Sequence, residues 1–130
     1  MRLFIATRLA AEESSVSAAR QLVESELSRG RLGRCVIDDL VLAASELVTN
    51  AVAYGCGEDV DLVLREHAGV VELAVTNRGP ADVGPVHSWA MPPPGSIGGR
   101  GLALVRSVAD RVDTAADGDC FTVTVTRDIG

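Results

Sequence analysis

The stretch Ser45-Glu46-Leu47-Val48-Thr49-Asn50-Ala51-Val52, closed by Tyr54-Gly55, decides how the chain is read. It ends a helical pattern that opens near Arg34. The apolar stripe is Val36, Ile37, Leu40, Val41, Ala44, Leu47, Val48, Ala51 and Val52, at the three- and four-residue spacing of one helix face. Gly55 is placed to stop it. Glu46 and Asn50 stand four apart, on one face, inside this apolar pattern. A carboxylate and an amide set there must both be satisfied or cost about 1–3 kcal/mol each. Spacing alone allows a structural hydrogen-bond pair, a solvated helix edge or a binding site.

Beyond Gly55 the period changes from 3.6 to 2. Val60, Leu62 and Leu64 alternate with polar residues, Ala68-Gly69 marks a turn, and Val71, Leu73 and Val75 return. This is a hairpin. Asn77 is in phase with the last three, so its side chain is expected on the core face, and Gly79 follows it. An inward amide at a strand end can hydrogen-bond a flat heterocycle, although Asn-x-Gly is also a common turn. From Arg78 to Gly99 five prolines and recurring glycines predict a long loop, of the kind that often serves as a lid. Trp89, the single tryptophan, and Met91 fall in it. Gly98-Gly99-Arg100-Gly101 then leads into a helix with Leu102, Leu104, Val105, Val108 and Ala109. Glycines at a helix start let backbone N–H groups approach an anion, and the helix end adds partial positive charge.

In the other direction, Gly30 to Gly33 breaks the chain. Before it Val16, Ala19, Val23 and Leu27 predict a helix capped by Ser14 or Ser15 and reaching Arg29. Leu3, Phe4 and Ile5 predict a short opening strand. At the far end Arg111 to Ala115 and Phe121 to Arg127 predict two strands about an Asp117-Gly118-Asp119 turn. The order β-α-α-β-β-loop-α-β-β predicts a two-layer α/β (α+β) sandwich, with a mixed, largely antiparallel sheet and helices on one face. Residues 1–130 are expected to form one domain, without repeats or linkers.

Composition narrows the function. With 130 residues, 47% of them apolar, the chain can build a core without disulfides or a structural metal. A net charge of −6 argues against direct nucleic-acid binding. There is no lysine, which excludes a Walker-type phosphate loop. Cys35, Cys56 and Cys120 are odd in number and unpaired in spacing, as expected of reduced thiols in a cytoplasmic protein. Met1 to Ala10 lacks the apolar core of a signal peptide, and no run is long enough to span a membrane.

Taken in order, these features resemble the GHKL ATPase superfamily, and within it the histidine-kinase-like ATP-binding domains of anti-sigma-factor serine kinases. Ser45 to Val52 with Tyr54-Gly55 is similar to the family's N box, and Gly99-Arg100-Gly101-Leu102-Ala103-Leu104-Val105 to its later glycine box. The resemblance implies the Bergerat-type ATP-binding fold, with ATP and Mg²⁺ between sheet and helices. Asn50 would be the metal ligand and Glu46 the general base. Gly99, Arg100 and Gly101 would hold the phosphates, with Leu102 beside them. Asn77 and Gly79 would meet the base, Thr122 would stand in the last motif, and residues 82–98 would form the lid. It also implies a sigma factor and an anti-sigma antagonist as partners, and a homodimer that no residue pattern here demands. One motif departs: the family's Asp-x-Gly-x-Gly reads Asn77-Arg78-Gly79-Pro80-Ala81. Replacing the carboxylate forfeits a charge-assisted bond worth about 1–2 kcal/mol. That opens a second reading, a non-catalytic or weakly nucleotide-binding partner-switch protein of the same fold. A detached histidine-kinase domain ranks below both, because no dimerisation helix carries a phospho-acceptor histidine.

Overall fold

The structure, a computed structural model, describes residues 2–54, 58–78 and 100–129. Its elements are β1 (Arg2–Leu9), α1 (Ser14–Ser28), α2 (Arg34–Tyr54), β2 (Val60–His67), β3 (Val70–Arg78), α3 (Arg100–Val108), β4 (Arg111–Asp117) and β5 (Cys120–Asp128). The five strands form one sheet in the order β1-β2-β3-β5-β4, and all four pairings are antiparallel. The expected largely antiparallel sheet is therefore wholly antiparallel among the described residues. β5 pairs with both β3 and β4, so the chain returns to insert its last strand between them.

The helices cover one face. α2 packs on β2, β3 and β5, with α1 and α3 against its flanks. The stripe read from the sequence is buried at Ile37, Leu40, Ala44, Leu47, Val48 and Ala51, and Ala43 joins it. Val60, Leu62 and Leu64 of β2, Val71, Leu73 and Val75 of β3, and Val123 and Val125 of β5 meet it from the sheet. Leu64 faces Leu73 and Leu73 faces Val125 across the ladder, a continuous apolar row under α2. Each such leucine stabilises the fold by about 1.5–3 kcal/mol relative to exposure.

Three local expectations change. β1 runs the full length Arg2–Leu9 rather than three residues, because its register shift between Leu3 and Ile5 hides the alternation. It is an edge strand carrying exposed arginines, and Arg8 Nε donates to Asp61 Oδ1 at 2.8 Å on β2. Neither Ser14 nor Ser15 caps α1. The cap position is Glu13, without a side-chain bond, while buried Ser15 donates through Oγ to the Ala10 carbonyl at 2.6 Å and fastens the turn leaving β1. The last two strands extend to Asp117 and Asp128, two residues and one residue past the expected ends.

The β2–β3 turn has both central residues at positive φ, Ala68 at 52° and Gly69 at 77°. That is the type I′ geometry whose twist matches the strands. Gly69 takes it freely; Ala68 carries a Cβ into the left-handed region. At the same end of the sheet Arg127 Nε donates to Asp39 Oδ2 of α2, and its Nη1 donates to Asp110 Oδ2, each at 3.1 Å. The Asp128 backbone N–H, together with Arg127, holds the Asp110 carboxyl below its usual range. The sheet is thereby pinned to the first part of α2.

Candidate functional site

At the opposite end of α2 the packing opens. Leu47, Asn50 and Ala51 of α2, Val75 and Asn77 of β3, Leu102 of α3, and Phe121 and Val123 of β5 line a small, partly open cleft. Asn50 arrives there because it lies one turn beyond the buried Leu47 on the stripe. Asn77 arrives because strand side chains alternate and it follows Val71, Leu73 and Val75 onto the helix face. It is only 6% exposed. The inward phase read from the sequence is the observed one.

Two polar atoms in this cleft stand out physically. Asn50 Nδ2 and Asn77 Nδ2 are buried and have no hydrogen-bond partner among the described residues. A buried donor left unpaired costs about 1–3 kcal/mol, and native structures retain few of them. Both amides also carry an oxygen acceptor. The remaining walls are apolar, so the cleft offers sparse, directed polarity in a hydrophobic slot, the usual character of a small-molecule site.

α3 begins at Arg100, and Leu102 in its first turn lines the cleft. No acidic residue occupies that first turn. The first backbone N–H groups of a helix lack intrahelical partners and carry partial positive charge, so this end of the cleft favours an anion.

Among the site residues expected from the sequence, the structure brings Asn50, Asn77 and Leu102 together. Arg100 and Gly101 form the adjoining helix start. Glu46 is half-buried on α2 one turn before Asn50, and it does not line the cleft. Gly79 and Gly99, the expected lid with Trp89 and Met91, Ala81 and the helix-stopping Gly55 lie outside the described residues. Thr122 is a correction. Phe121, Val123 and Val125 face the helices, so Thr122 points to the other side of the sheet, where its Oγ1 lies 2.7 Å from Thr76 Oγ1. The β5 residues that reach the cleft are Val123 and, beside Thr122 in the chain, Phe121. Its phase with Val123 and Val125 was the available signal.

No cluster of three or more His, Cys, Asp or Glu side chains suited to a metal occurs among the described residues. Mg²⁺ is usually held through one or two protein oxygens and the phosphates of a nucleotide. The Asn50 side-chain oxygen is a ligand of the right hardness. No helix of the described residues is long and apolar enough to cross a membrane.

Residues 9–127 match the family model described as the histidine kinase-like ATPase domain. The chain belongs to that family. Among solved structures it is similar to the RsbU and RsbW domains of Rv1364c from Mycobacterium tuberculosis, with a TM-score of 0.72 and 20% identity over 96% of this chain. That likeness is one of fold, and the chain spans 31% of the length of that protein chain. No curated protein sequence matched. In this family the antiparallel sheet under a helical layer is the ATP-binding fold expected from the N-box and glycine-box resemblance.

Proposed function

We propose that this histidine kinase-like ATPase domain is an ATP-binding regulatory protein of the anti-sigma-factor serine/threonine kinase type. The observation that carries the nucleotide reading is the pair of buried amide donors, without a partner among the described residues, in one cleft beside the start of α3. Bound Mg²⁺ would neutralise charge between the phosphates, with Asn50 as its protein ligand. The α3 start, with Arg100 and Gly101, would receive the phosphates, joined by Gly99. Glu46 would accept the proton of an antagonist's serine or threonine hydroxyl as that oxygen bonds to the γ-phosphorus, the β–γ bridging P–O bond breaks, and ADP leaves. The resemblance of the N box and glycine box to those of anti-sigma-factor serine kinases supports a partner switch between a sigma factor and its antagonist. Such a protein would work in the cytoplasm, as a monomer or a homodimer.

A second reading, nucleotide binding without transfer, is favoured by one observation: Glu46 does not line the cleft. Titration calorimetry with ATP and Mg²⁺, followed by a phosphotransfer assay on an antagonist protein, tests both. The kinase reading expects binding below millimolar ATP, and expects Glu46→Ala to abolish transfer while keeping affinity within about threefold. Binding without any transfer by the wild type leaves the switch reading. No binding at millimolar ATP removes the kinase reading.

A further inference from the structure

β4 ends the sheet, and among the described residues it pairs only with β5. Six of its seven residues are exposed, the exception being Val112. The register settles which backbone groups its open edge presents. The Asp110 N–H donates to the Thr126 carbonyl at 2.9 Å, so Thr126 turns its backbone groups toward β4. By alternation Thr124, Thr122 and Cys120 do the same. Their partners Arg111, Asp113, Ala115 and Asp117 therefore hold the ladder, and Val112, Thr114 and Ala116 each turn an N–H and a C=O outward.

The two edges of the sheet differ. β1 carries Arg2, Arg8 and a register shift between Leu3 and Ile5, features that discourage a further strand. β4 has neither lysine nor proline, and its side chains on the helix face are the uncharged Val112, Thr114 and Ala116. Its charges, Arg111, Asp113 and Asp117, all lie on the outer face, and their order selects an occupant. Set antiparallel to a copy of itself with Thr114 opposite Thr114, β4 brings Arg111 opposite Asp117 at both ends. Val112 then faces Ala116, and the outward backbone groups of both strands meet in register. The neighbouring registers that keep those groups aligned place Asp113 opposite Asp113 or opposite Asp117, which like-charge repulsion disfavours. Arg111 gives Nε to Asp113 Oδ2 at 2.8 Å, and a guanidinium has further N–H groups for a second carboxylate. Asp117 holds no ion pair among the described residues. We propose that the open edge of β4 is an interaction surface for a second copy of this chain, joined about a two-fold axis at Thr114 into one continuous sheet. The pairing requires no nucleotide, so its failure and that of the nucleotide reading are distinguishable.

Sedimentation equilibrium of the full chain without nucleotide reads the association, and amide hydrogen exchange followed by NMR locates it. A reversible monomer–dimer equilibrium is expected by millimolar chain. Exchange at Val112, Thr114 and Ala116 should slow as the dimer forms, whereas Asp113 and Ala115, held by β5, should exchange slowly at every concentration. Thr114→Pro removes an N–H that the chain's own ladder does not use, so the variant should fold. It should weaken association about tenfold or more, because two bonds across the axis are lost. Asp117→Arg should weaken it about five- to tenfold by setting arginines opposite each other. Adding Arg111→Asp to that variant should restore association to within about threefold of the wild type, since the exchanged charges again pair. A wild-type chain that stays monomeric at millimolar concentration overturns the proposal. So does a dimer in which exchange at Val112, Thr114 and Ala116 is unchanged, or one that a folded Thr114→Pro variant forms equally well. The wild-type measurements decide the matter even where a variant does not fold.

Discussion

The two ends of α2 are built to opposite rules. At its start, Ile37, Leu40 and Ala44 close on the sheet core with no buried unpaired polar side-chain atom among the described residues, and Arg127 ties the helix to β5 and Asp110. At its end the same stripe passes Leu47 and meets Asn50, Asn77 and an open cleft. One helix on one sheet thus supplies a closed half and a half whose two buried amide donors have no partner among the described residues. A buried donor without a partner persists only where the native structure elsewhere can bear it.

Substitution should separate the two ends. The largest effect is expected in the apolar row. Leu73→Ala removes a fully buried side chain between Leu64 and Val125. It should lower unfolding free energy by about 3 kcal/mol, or about 10 °C in Tm, in urea and thermal melts. A loss below about 1 kcal/mol would mean this end is less tightly packed than described. At the other end Asn50→Leu removes one unsatisfied donor and adds apolar volume beside a cleft. Stability should hold or rise by about 1 kcal/mol while Mg²⁺-dependent nucleotide binding, read by calorimetry, disappears. A large loss of stability there would reduce the contrast to ordinary packing. The smallest effect is expected at the hairpin, away from the cleft. Ala68→Asn places at positive φ a residue that tolerates it, before Gly69. Tm should rise by the equivalent of about 0.5–1 kcal/mol with nucleotide affinity unchanged. A change in affinity would show the hairpin to be coupled to the site.

Much of the framework was legible in the residues. The 3.6-residue stripe of α2 and the switch to period 2 at Val60 located the central helix and hairpin correctly, because each element presents one face to a common core. Asn77 was read as inward from its phase alone, and it is. The motif resemblance places Thr122 in the site, whereas its alternation with Phe121 and Val123 puts it on the outer face. β1 was undercounted because its irregular register leaves only Ile5 fully buried. Ser15 binds the Ala10 carbonyl instead of capping α1, a choice made by the tight turn out of β1 and invisible to a cap rule.

The amino-acid sequence by itself determined the kinds and order of the elements and set two amides into apolar patterns, since local periodicity follows from backbone geometry. Only the tertiary structure decided that those amides meet. β3 lies beneath α2 with its end at the helix end, β5 enters between β3 and β4 to bring Phe121 alongside, and α3 docks Leu102 on the remaining side. Proximity between residues far apart in the chain depends on strand order and helix docking, which burial of the whole core fixes at once and no single segment contains.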